Sequence, residues 1–399
     1  MTVSLKRIRD VAQVIMGTSP KGHTYNAGGE GTPLLNGPTE FGDTYPECTI
    51  FTTASVKECA KGDLIFCVRG STTGRMNWAD KVYSLGRGVC AIRGETDLDT
   101  KFIRYCLDYR LAGLLQLAGG TTFPNLPQDR IKDFEIPYPA SRKQITEILS
   151  AYDDLIENNR RRMALLEEAA RLLYREWFIH LRFPGHEHTR LIDGMPEGWE
   201  RTTLEEACVP DDGIQTGPFG SQLHEADYSE EGIPVVMPKD IISSRISIDS
   251  IARVPEAIRD RLFRHVLRVG DIVLARRGDI GRKAFVGERE VGWMCGTGCM
   301  RLRPRHDYVI PRVLFDTLGR SDVMGVIAGR AQGAIMPNLN LSIMADIALV
   351  LPPMRLQRLY IDHVAPIHEM VAVLGRQTEK LRAARDLLLP RLMSGEVAV

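Results

Sequence analysis

The longest uninterrupted hydrophobic pattern of the chain lies in residues 141–178, which contain neither glycine nor proline. Apolar residues recur there at alternating steps of three and four, which is typical of the narrow contact stripe of a coiled-coil helix. At ~1.5 Å per residue the predicted helix is on the order of 57 Å long, so it needs a partner helix to cover the stripe. The predicted stripe consists of Ile145, Ile148, Tyr152, Leu155, Asn159, Met163, Leu166, Ala170, Leu173 and Trp177.

Two regions rich in glycine and proline flank this helix, and the second repeats the first. Residues 1–139 contain short strand-like runs, which indicate mixed β structure with short helices. After a break at 183–188, a similar region extends from about 198 to 353. The order of the matches is kept while their separation rises from 201 to 214 residues, which indicates duplication with loop insertions. The matched segments are 31–35 with 232–236, 62–70 with 270–278, 124–126 with 337–339, Pro139 with Pro353, Gln144 with Gln357, and 169–171 with 383–385.

The duplication predicts a second long helix, from about residue 354 to 393. Pro366 lies inside it, and an interior proline removes a backbone hydrogen bond, so we expect a kink or a restart there. Two striped helices of matched length, one in each half, are expected to pack on each other in antiparallel orientation. The stripe of the second helix consists of Leu356, Tyr360, Val364, Ile367, Val371, Leu374, Leu381 and Leu388.

These patterns predict an α+β fold of two mixed α/β domains related by internal duplication. The two domains are joined and spaced by the two long antiparallel coiled-coil helices. The predicted boundaries are 1–139 for the first domain, 140–180 for the first long helix, 181–198 for a linker, 199–353 for the second domain and 354–399 for the second long helix.

The composition is that of an ordinary globular protein, with 44% hydrophobic and 26% charged residues. The length of 399 residues suggests two or three domains. No apolar run reaches the ~18 residues of a membrane span, so no membrane partner is expected. Eight cysteines in a chain of this length indicate reduced thiols and a cytoplasmic location. Because the net charge is zero, nucleic-acid binding must depend on local basic patches or on basic partners.

Motifs of common enzyme classes are missing from the sequence. The glycine segments 70–74 and 278–281 do not form a P-loop, and no G-x-G-x-x-G follows a predicted strand. Cys295 and Cys299 lack the second thiol pair of a zinc site, and the repeat aligns Cys299 with Cys90, which favours a buried apolar role. His186 and His188 lie in the predicted linker and are expected to be solvated. We therefore predict a chain without catalytic activity, bound cofactor or metal.

Basic and polar residues surround the matched strand ends in both halves. Arginine and lysine suit phosphate contacts, and glutamine, serine and threonine on neighbouring loops suit hydrogen bonds to base edges. Solvated hairpins and inert Gly/Pro turns have the same composition, so this alternative stays open. The candidate DNA-binding residues are Arg69, Ser71, Thr72, Thr73, Arg75, Gln215, Thr216, Ser221, Gln222, Lys239, Arg276, Arg277, Arg282, Lys283, Arg330 and Gln332.

Several segments carry a resemblance to a known family. They are 195–199 (MPEGW), 215–223 (QTGPFGSQL), 270–281, the Leu-Pro-Pro at 351–353 and the C-terminal 385–396 (RDLLLPRLMSGE). Together with the duplicated layout, they resemble the specificity (S) subunits of type I restriction–modification enzymes over essentially the whole chain. The first half departs from the family pattern because no P-x-G-W precedes Leu5, and the second helix departs from it at Pro366.

The resemblance implies a DNA-reading subunit without catalysis of its own. Each domain is then a target recognition domain for one half of a bipartite, asymmetric site in double-stranded DNA, and the coiled coil sets the spacer between the halves. Two modification (M) subunits with S-adenosylmethionine are implied as partners, together with restriction (R) subunits that use ATP and Mg²⁺. One alternative is a coiled-coil adaptor that joins two protein-binding domains. A free-standing DNA-modifying enzyme is disfavoured, because the Asp/Asn-Pro-Pro-aromatic motif of such enzymes is missing.

Overall fold

The computed structural model describes residues 4–42, 44–119, 124–331 and 338–399. The chain divides into two compact units, Met1–Arg162 with Val373–Val399 and Met163–Ala372. The two long helices are thereby shared, since each contributes residues to both units. The mixture of long helices and small sheets confirms the α+β fold, whereas the domain boundaries given above stay predictions.

The described part of the first unit consists of short strands, two helices, the beginning of one long helix up to residue 162 and the end of another from residue 373. Its elements are β1 (Leu5–Arg7), β2 (Ala12–Met16), β3 (Tyr25–Asn26), β4 (Thr32–Leu35), β5 (Phe51–Thr52), β6 (Glu58–Cys59), β7 (Leu64–Cys67), β8 (Met76–Trp78), β9 (Tyr83–Leu85), β10 (Val89–Gly94), α1 (Asp97–Leu115), α2 (Gln128–Lys132), β11 (Glu135–Pro137) and α3 (Arg142–Phe178).

The main sheet of the first unit is antiparallel, with the strand order β2-β10-β7-β8. Helix α1 begins after Thr96, whose side chain accepts a hydrogen bond from the Asp99 amide, as N-cap threonines do. Phe102 and Ile103 of α1 are fully buried in one apolar cluster with Phe66 of β7. The sheet is therefore covered on one face by α1.

The second unit has a similar series of strands, shorter helices and the second long helix, whose residues from 373 onward belong to the first unit. Its elements are β12 (Leu191–Ile192), β13 (Met195–Pro196), β14 (Glu200–Thr203), β15 (Ile214–Thr216), β16 (Ile233–Val236), β17 (Ile241–Ile242), β18 (Arg245–Ile246), β19 (Ala252–Val254), α4 (Glu256–Arg261), β20 (Ile272–Ala275), β21 (Lys283–Phe285), β22 (Met294–Cys295), β23 (Cys299–Leu302), α5 (Pro311–Thr317), α6 (Ser321–Arg330), α7 (Leu341–Ala345), β24 (Ala348–Leu351) and α8 (Met354–Ser394).

The duplication inferred from sequence is visible in the strand order. The main sheet of the second unit runs β15-β23-β20-β21, which matches β2-β10-β7-β8 strand for strand. Both units also contain one parallel pair, β4 with β9 and β16 with β22. The strand register shifts one of the matches predicted from sequence, that of Cys299 with Cys90, by one residue. Cys299 pairs with Ala275 as Val89 pairs with Cys67, so Cys299 corresponds to Val89 and not to Cys90.

In the first unit the two long helices pack against each other in antiparallel order. Ile145 and Leu149 of α3 share an apolar cluster with Leu392 and Met393 of α8. Further along α3, Asp153 accepts a hydrogen bond at 2.6 Å from Arg385 Nη1, which lies earlier in α8. The same carboxylate accepts a 2.5 Å bond from the Tyr105 hydroxyl of α1. The globular part of this unit is thus tied to both long helices.

In the second unit an aromatic cluster takes the place of this polar contact. The rings of Tyr174 and Trp177 of α3 lie 5.8 and 6.0 Å from the ring of Tyr360 of α8. The Tyr360 hydroxyl donates a 2.9 Å hydrogen bond to Asp316 of α5. The tyrosine is here on the long helix and the aspartate on the domain helix, which reverses the arrangement of Tyr105 and Asp153.

The predicted stripe of α3 is corrected at three positions. One of them is Leu173, which is half-buried, whereas its neighbour Tyr174 is 6% exposed. Leu155 is 51% exposed, whereas its neighbour Ile156 is 6% exposed. Ile148 is half-buried, and Leu149 is the fully buried residue of that pair. Both residues of each pair are apolar, so a stripe with steps of three and four can be drawn through either of two adjacent faces of the helix. Packing against the neighbouring elements buries the second residue of each pair.

Pro366 does not interrupt the second helix, because α8 is continuous from Met354 to Ser394. Pro366 and Asp362, whose carbonyl lacks an amide donor four residues later, both lie on the exposed side of the helix, where water replaces the missing bond. The expectation of a restart at this residue was therefore wrong.

The predicted linker 181–198 is also more ordered than its sequence suggests. Phe183 is buried in the core of the second unit, and β12 pairs with β13 inside this segment. His186 and His188 are exposed, with the His186 ring bonded to the Phe183 carbonyl at 2.8 Å.

Candidate nucleic-acid interface

In the first unit, the loop that follows β7 is held against the segment 124–126. The chain turns at Gly70, whose φ of 91° suits glycine. Arg69 Nε donates a 3.0 Å hydrogen bond to Asn125 Oδ1, and the Leu126 amide donates to the Val68 carbonyl at 2.9 Å. An exposed guanidinium is therefore fixed by an asparagine at the end of a buried strand.

The second unit repeats this contact after β20. The chain turns at Gly278, with a φ of 73°, and Arg277 Nε donates to Asn338 Oδ1 at 3.4 Å. The Leu339 amide donates to the Arg276 carbonyl at 2.9 Å, as Leu126 does to Val68. The name strand-end loops is used below for these two loops, 68–75 and 276–282. Both loops have the same geometry, and each places one arginine at the surface.

The predicted residues of the first strand-end loop lie together. Arg69, Ser71 and Arg75 are exposed, whereas Thr72 and Thr73 are half-buried. The Thr73 hydroxyl donates to the Gly70 carbonyl at 2.7 Å, so its proton is used within the loop. The exposed groups, two guanidiniums and one hydroxyl, suit phosphate or base-edge acceptors.

Arg276 was predicted as a phosphate contact, and the structure corrects this. The residue is 4% exposed, and its guanidinium carbon lies 5.5 Å from the centre of the Phe219 ring. Arg276 Nη1 donates to Asn338 Oδ1 at 3.3 Å. Burial, and then the neighbouring charge of Arg277, lower the pKa of Arg276. Arg276 therefore supports the loop from inside, while Arg277 is the exposed cation.

Lys283 is a second correction. It begins β21 with its side chain towards α5, where Nζ donates to the Phe315 carbonyl and lies 3.4 Å from the centre of the Phe315 ring. Burial lowers the pKa of Lys283 to about 7. A side chain packed in this way is part of the core and does not reach a DNA backbone.

The loop 217–222, with β15 before it, contains four further candidates. Thr216 is buried in β15, so it is not a base reader, and the half-buried Gln215 donates to its carbonyl at 3.2 Å. Ser221 and Gln222 are exposed. Gln222 Oε1 accepts a 3.2 Å bond from the Phe219 amide, which leaves the Gln222 amide group facing outward as a donor.

The remaining candidates are exposed but bonded within the chain. Arg282 Nε lies 2.7 Å from Asp279 Oδ2 in the second strand-end loop. Lys239 Nζ donates to the Ser250 carbonyl and Arg330 Nη1 to the Asp346 carbonyl, each at 3.1 Å. Gln332 lies outside the described residues.

Sequence reasoning missed the residues that fix these loops. Asn125 and Asn338 stand in the repeated Pro-Asn-Leu segments, and this repetition was the signal that could have found them. Phe219 stands in a segment that was considered only for its polar residues, and its exposure is visible only in the structure.

A matched ion pair braces both main sheets. Arg93 donates two bonds to the Asp63 carboxylate, at 2.6 and 2.7 Å, and Arg303 donates two to Asp271, both at 2.8 Å. Such fork-shaped pairs are among the stronger charge-assisted contacts. They keep β7 and β20, which lead into the strand-end loops, in place.

Metal and thiol chemistry find no support in the part of the chain that the structure describes. No group of three or more His, Cys, Asp or Glu side chains is arranged there to hold a metal ion. Cys295 and Cys299 are buried free thiols, and burial raises the pKa of Cys295 to about 12. Among the described helices, none is long and apolar enough to span a membrane.

Comparisons with known proteins show which proteins the chain resembles. Residues 2–168 match the model of the type I restriction modification DNA specificity domain. The chain is 24% identical over 420 residues to the type I restriction enzyme MjaIX specificity subunit of Methanocaldococcus jannaschii, and the match covers 99% of this chain and 93% of that protein. The putative MjaX specificity subunit of the same organism is 34% identical over 160 residues, which cover 39% of this chain and 37% of that protein.

The fold is similar to that of a solved structure. A crystal structure of the type I restriction–modification S subunit from M. genitalium superposes with a TM-score of 0.58 at 20% identity, over 98% of this chain and 96% of that chain. Over nearly its whole length the chain thus resembles type I restriction–modification specificity subunits. Its first half matches the DNA specificity domain.

Proposed function

We propose that this chain is the non-catalytic DNA-recognition subunit of a type I restriction–modification complex. Each unit recognises one half of a bipartite, asymmetric site through its strand-end loop and the loops beside it. The paired long helices set the number of unspecified base pairs between the half-sites. They also dock two modification subunits.

The observation that carries this proposal is the duplicated arginine–asparagine contact. Arg69 with Asn125, and Arg277 with Asn338, place one exposed guanidinium at the same point of two matched sheets. An arginine that a neighbouring amide holds in one orientation is suited to phosphate or to a guanine edge. The two units share this contact but differ in the amino acids around it. We therefore expect them to recognise two different half-sites.

An exposed apolar stripe supports docking of the modification subunits. Leu165 and Leu172 of α3, and Ile179 directly after it, are spaced by seven residues and are each at least 40% exposed. They lie opposite the buried stripe of the same helix, and seven-residue spacing is that of a helix contact. The reactive cofactors belong to partner subunits in this proposal, with S-adenosylmethionine on the modification subunits and ATP with Mg²⁺ on restriction subunits.

Methylome sequencing of the host with and without this gene tests the function. Loss of one bipartite methylated motif on deletion is the expected result. An unchanged methylome contradicts the proposal and favours the adaptor alternative. The purified chain alone is expected to transfer no methyl group from S-adenosylmethionine to DNA.

The spacer is tested by lengthening the paired helices. Four residues inserted after Asn159, with four inserted after Thr378 at the same level of α8, add about 6 Å and nearly one turn to each helix. The methylated motif should keep both half-sites and gain roughly one or two base pairs of spacer, at ~3.4 Å each. Altered half-sites with an unaltered spacer contradict this role. Two-residue insertions, which rotate the stripe by about 200°, are the control and should impair assembly.

A further inference from the structure

Phe219 is an exposed aromatic residue on a loop that is fixed from several sides. The residue is 52% exposed. Thr297 Oγ1 donates to the Pro218 carbonyl at 2.9 Å, and Arg261 Nη2 donates to the Gln222 carbonyl at 3.0 Å. These hydrogen bonds fix the loop, and the loop therefore holds the large apolar side chain of Phe219 at the surface in one position.

Arg276 supports the ring from the inner side. Its guanidinium carbon lies 5.5 Å from the ring centre, and its Nε is buried without a hydrogen-bond partner. In the described part of the chain, no carboxylate forms an ion pair with Arg276. A buried cation without a carboxylate is costly, and the face of an aromatic ring compensates only part of that cost. A buried donor that is left without a partner calls for an explanation.

The ring and the strand-end loop form one surface. Arg276 Nη1 and Arg277 Nε both donate to Asn338 Oδ1, so the residue beneath Phe219 is joined directly to the exposed cation of this unit. Phe219 consequently lies beside the group that the proposed function assigns to DNA.

We propose that Phe219 stacks on a base of the half-site recognised by the second unit, and that Arg276 is its positioning residue. The ligand is a base partly unstacked within duplex DNA, the kind of step that apolar side chains open when they enter a groove. One face of the ring then contacts the base while Arg276 stays on the other. This inference rests on the proposed function, which supplies the DNA.

At the matched, described positions of the first unit this arrangement has no counterpart. Gly17 and Gly217 are matched, since their amides donate to the Val89 and Cys299 carbonyls, which themselves correspond. Two residues further on, the first unit has Ser19 where the second has Phe219. Val68 takes the place of Arg276. Stacking is therefore expected in one half-site only.

The test uses the complex of the full chain with its modification subunits, on duplexes that carry the motif found by methylome sequencing. Phe219→Ala should weaken binding to the specific duplex about tenfold or more, because aromatic stacking on a base is lost. The salt dependence of binding should not change, since no phosphate contact is removed. Phe263→Ala is the matched control. Phe263 is 69% exposed in the same unit, and this change should leave binding within about twofold of the wild type.

Base unstacking is measured directly with 2-aminopurine, placed in turn at each adenine of the two half-sites. Its fluorescence should rise on binding of the wild-type complex at one position in the second unit's half-site, and at no position with Phe219→Ala. Phe219→Trp should keep the signal, and Arg276→Met should reduce it, because the ring loses its charged support. Phe219→Leu replaces the alanine variant if that one does not fold.

Unchanged affinity and unchanged fluorescence with Phe219→Ala overturn the inference. Loss of the modification subunits from the Phe219→Ala complex overturns it as well, because the ring would then be covered by protein. A wild-type complex that fails to bind any motif specifically overturns the proposed function itself. The two failures are thus distinguishable by the behaviour of the wild type.

Discussion

The two main sheets share a strand order but differ in what fills their matched interior positions. Val68, Met76 and Ala91 of the first unit correspond by strand register to three cations of the second. Those cations are Arg276, Lys283 and Arg301. All three lie below 10% exposure. An apolar interior and a charged one are therefore both compatible with the same backbone.

The buried cations of the second unit are only partly paired with hydrogen-bond acceptors. Arg301 Nη2 donates to the Asp212 carboxylate at 2.6 Å and to its carbonyl at 2.8 Å, yet Nε and Nη1 have no hydrogen-bond partner. Buried charges that are only partly paired contribute little to stability and often reduce it. The apolar interior of the first sheet carries no such cost, so we expect the first sheet to be the more stable of the two.

The largest expected effect concerns the ion pair that both sheets share. Asp271→Asn should lower the free energy of unfolding of the second unit by about 3 kcal/mol, because the buried Arg303 then keeps only the carboxylate of Asp212, which is 37% exposed. Asp63→Asn should cost the first unit only about 1 kcal/mol, since the Arg93 side chain is 40% exposed and is solvated when freed. Urea unfolding, with hydrogen exchange of β20 and β7 to assign the unit, measures both. Equal costs would contradict the difference between the sheets.

Exchanging the matched residues of β21 and β8 should have a smaller effect with a defined pH dependence. The pKa of Lys283 is lowered to about 7 by burial, against ~10.4 in an unfolded chain. Between these values the unfolded state binds more protons, so wild-type stability rises with pH, and the full cost of the charge is present below pH 7. Lys283→Met should therefore stabilise the second unit by on the order of 2 kcal/mol at pH 6, and by less towards pH 10.

Thermal unfolding at pH 6, 7.5 and 9 checks this dependence. The reciprocal change, Met76→Lys, is the control and should destabilise the first unit by about 1 kcal/mol, because the half-buried Met76 packs against an apolar cluster. A gain from Lys283→Met that is the same at all three pH values would show that the charge is not the cause.

The smallest expected effect is on DNA binding by the two exposed arginines. Arg69→Gln and Arg277→Gln should each lower by about one the slope of log affinity against log salt concentration. Each should weaken binding to specific and to random duplexes alike. Arg276→Gln should leave the slope unchanged, because this residue is buried. Filter binding between 50 and 200 mM salt separates the three variants. A switch of sequence preference by Arg277→Gln with an unchanged slope would assign that residue to a base instead.

Much of the fold was predictable because it follows from local periodicity and from repetition. The long apolar stripe without glycine or proline defines α3, and its ends were predicted within two residues. The Gly-Asp and Pro-Asn-Leu repeats predict two similar domains, and the matched strand orders agree with this. The 19-residue helix α1 was missed, since its apolar positions fit no single narrow stripe, although Thr96 and Asp99 supply a capping signal.

By itself, the sequence determined the duplication and the two long helices, because each is recorded in spacing along the chain. Tertiary structure decided which of two apolar neighbours, Leu155 or Ile156, enters the helix contact, since both satisfy the same period. It also decided which cations are exposed. Arg276 and Arg277 are adjacent and chemically identical, but alternation along an extended backbone buries the first beneath Phe219 and leaves the second at the surface.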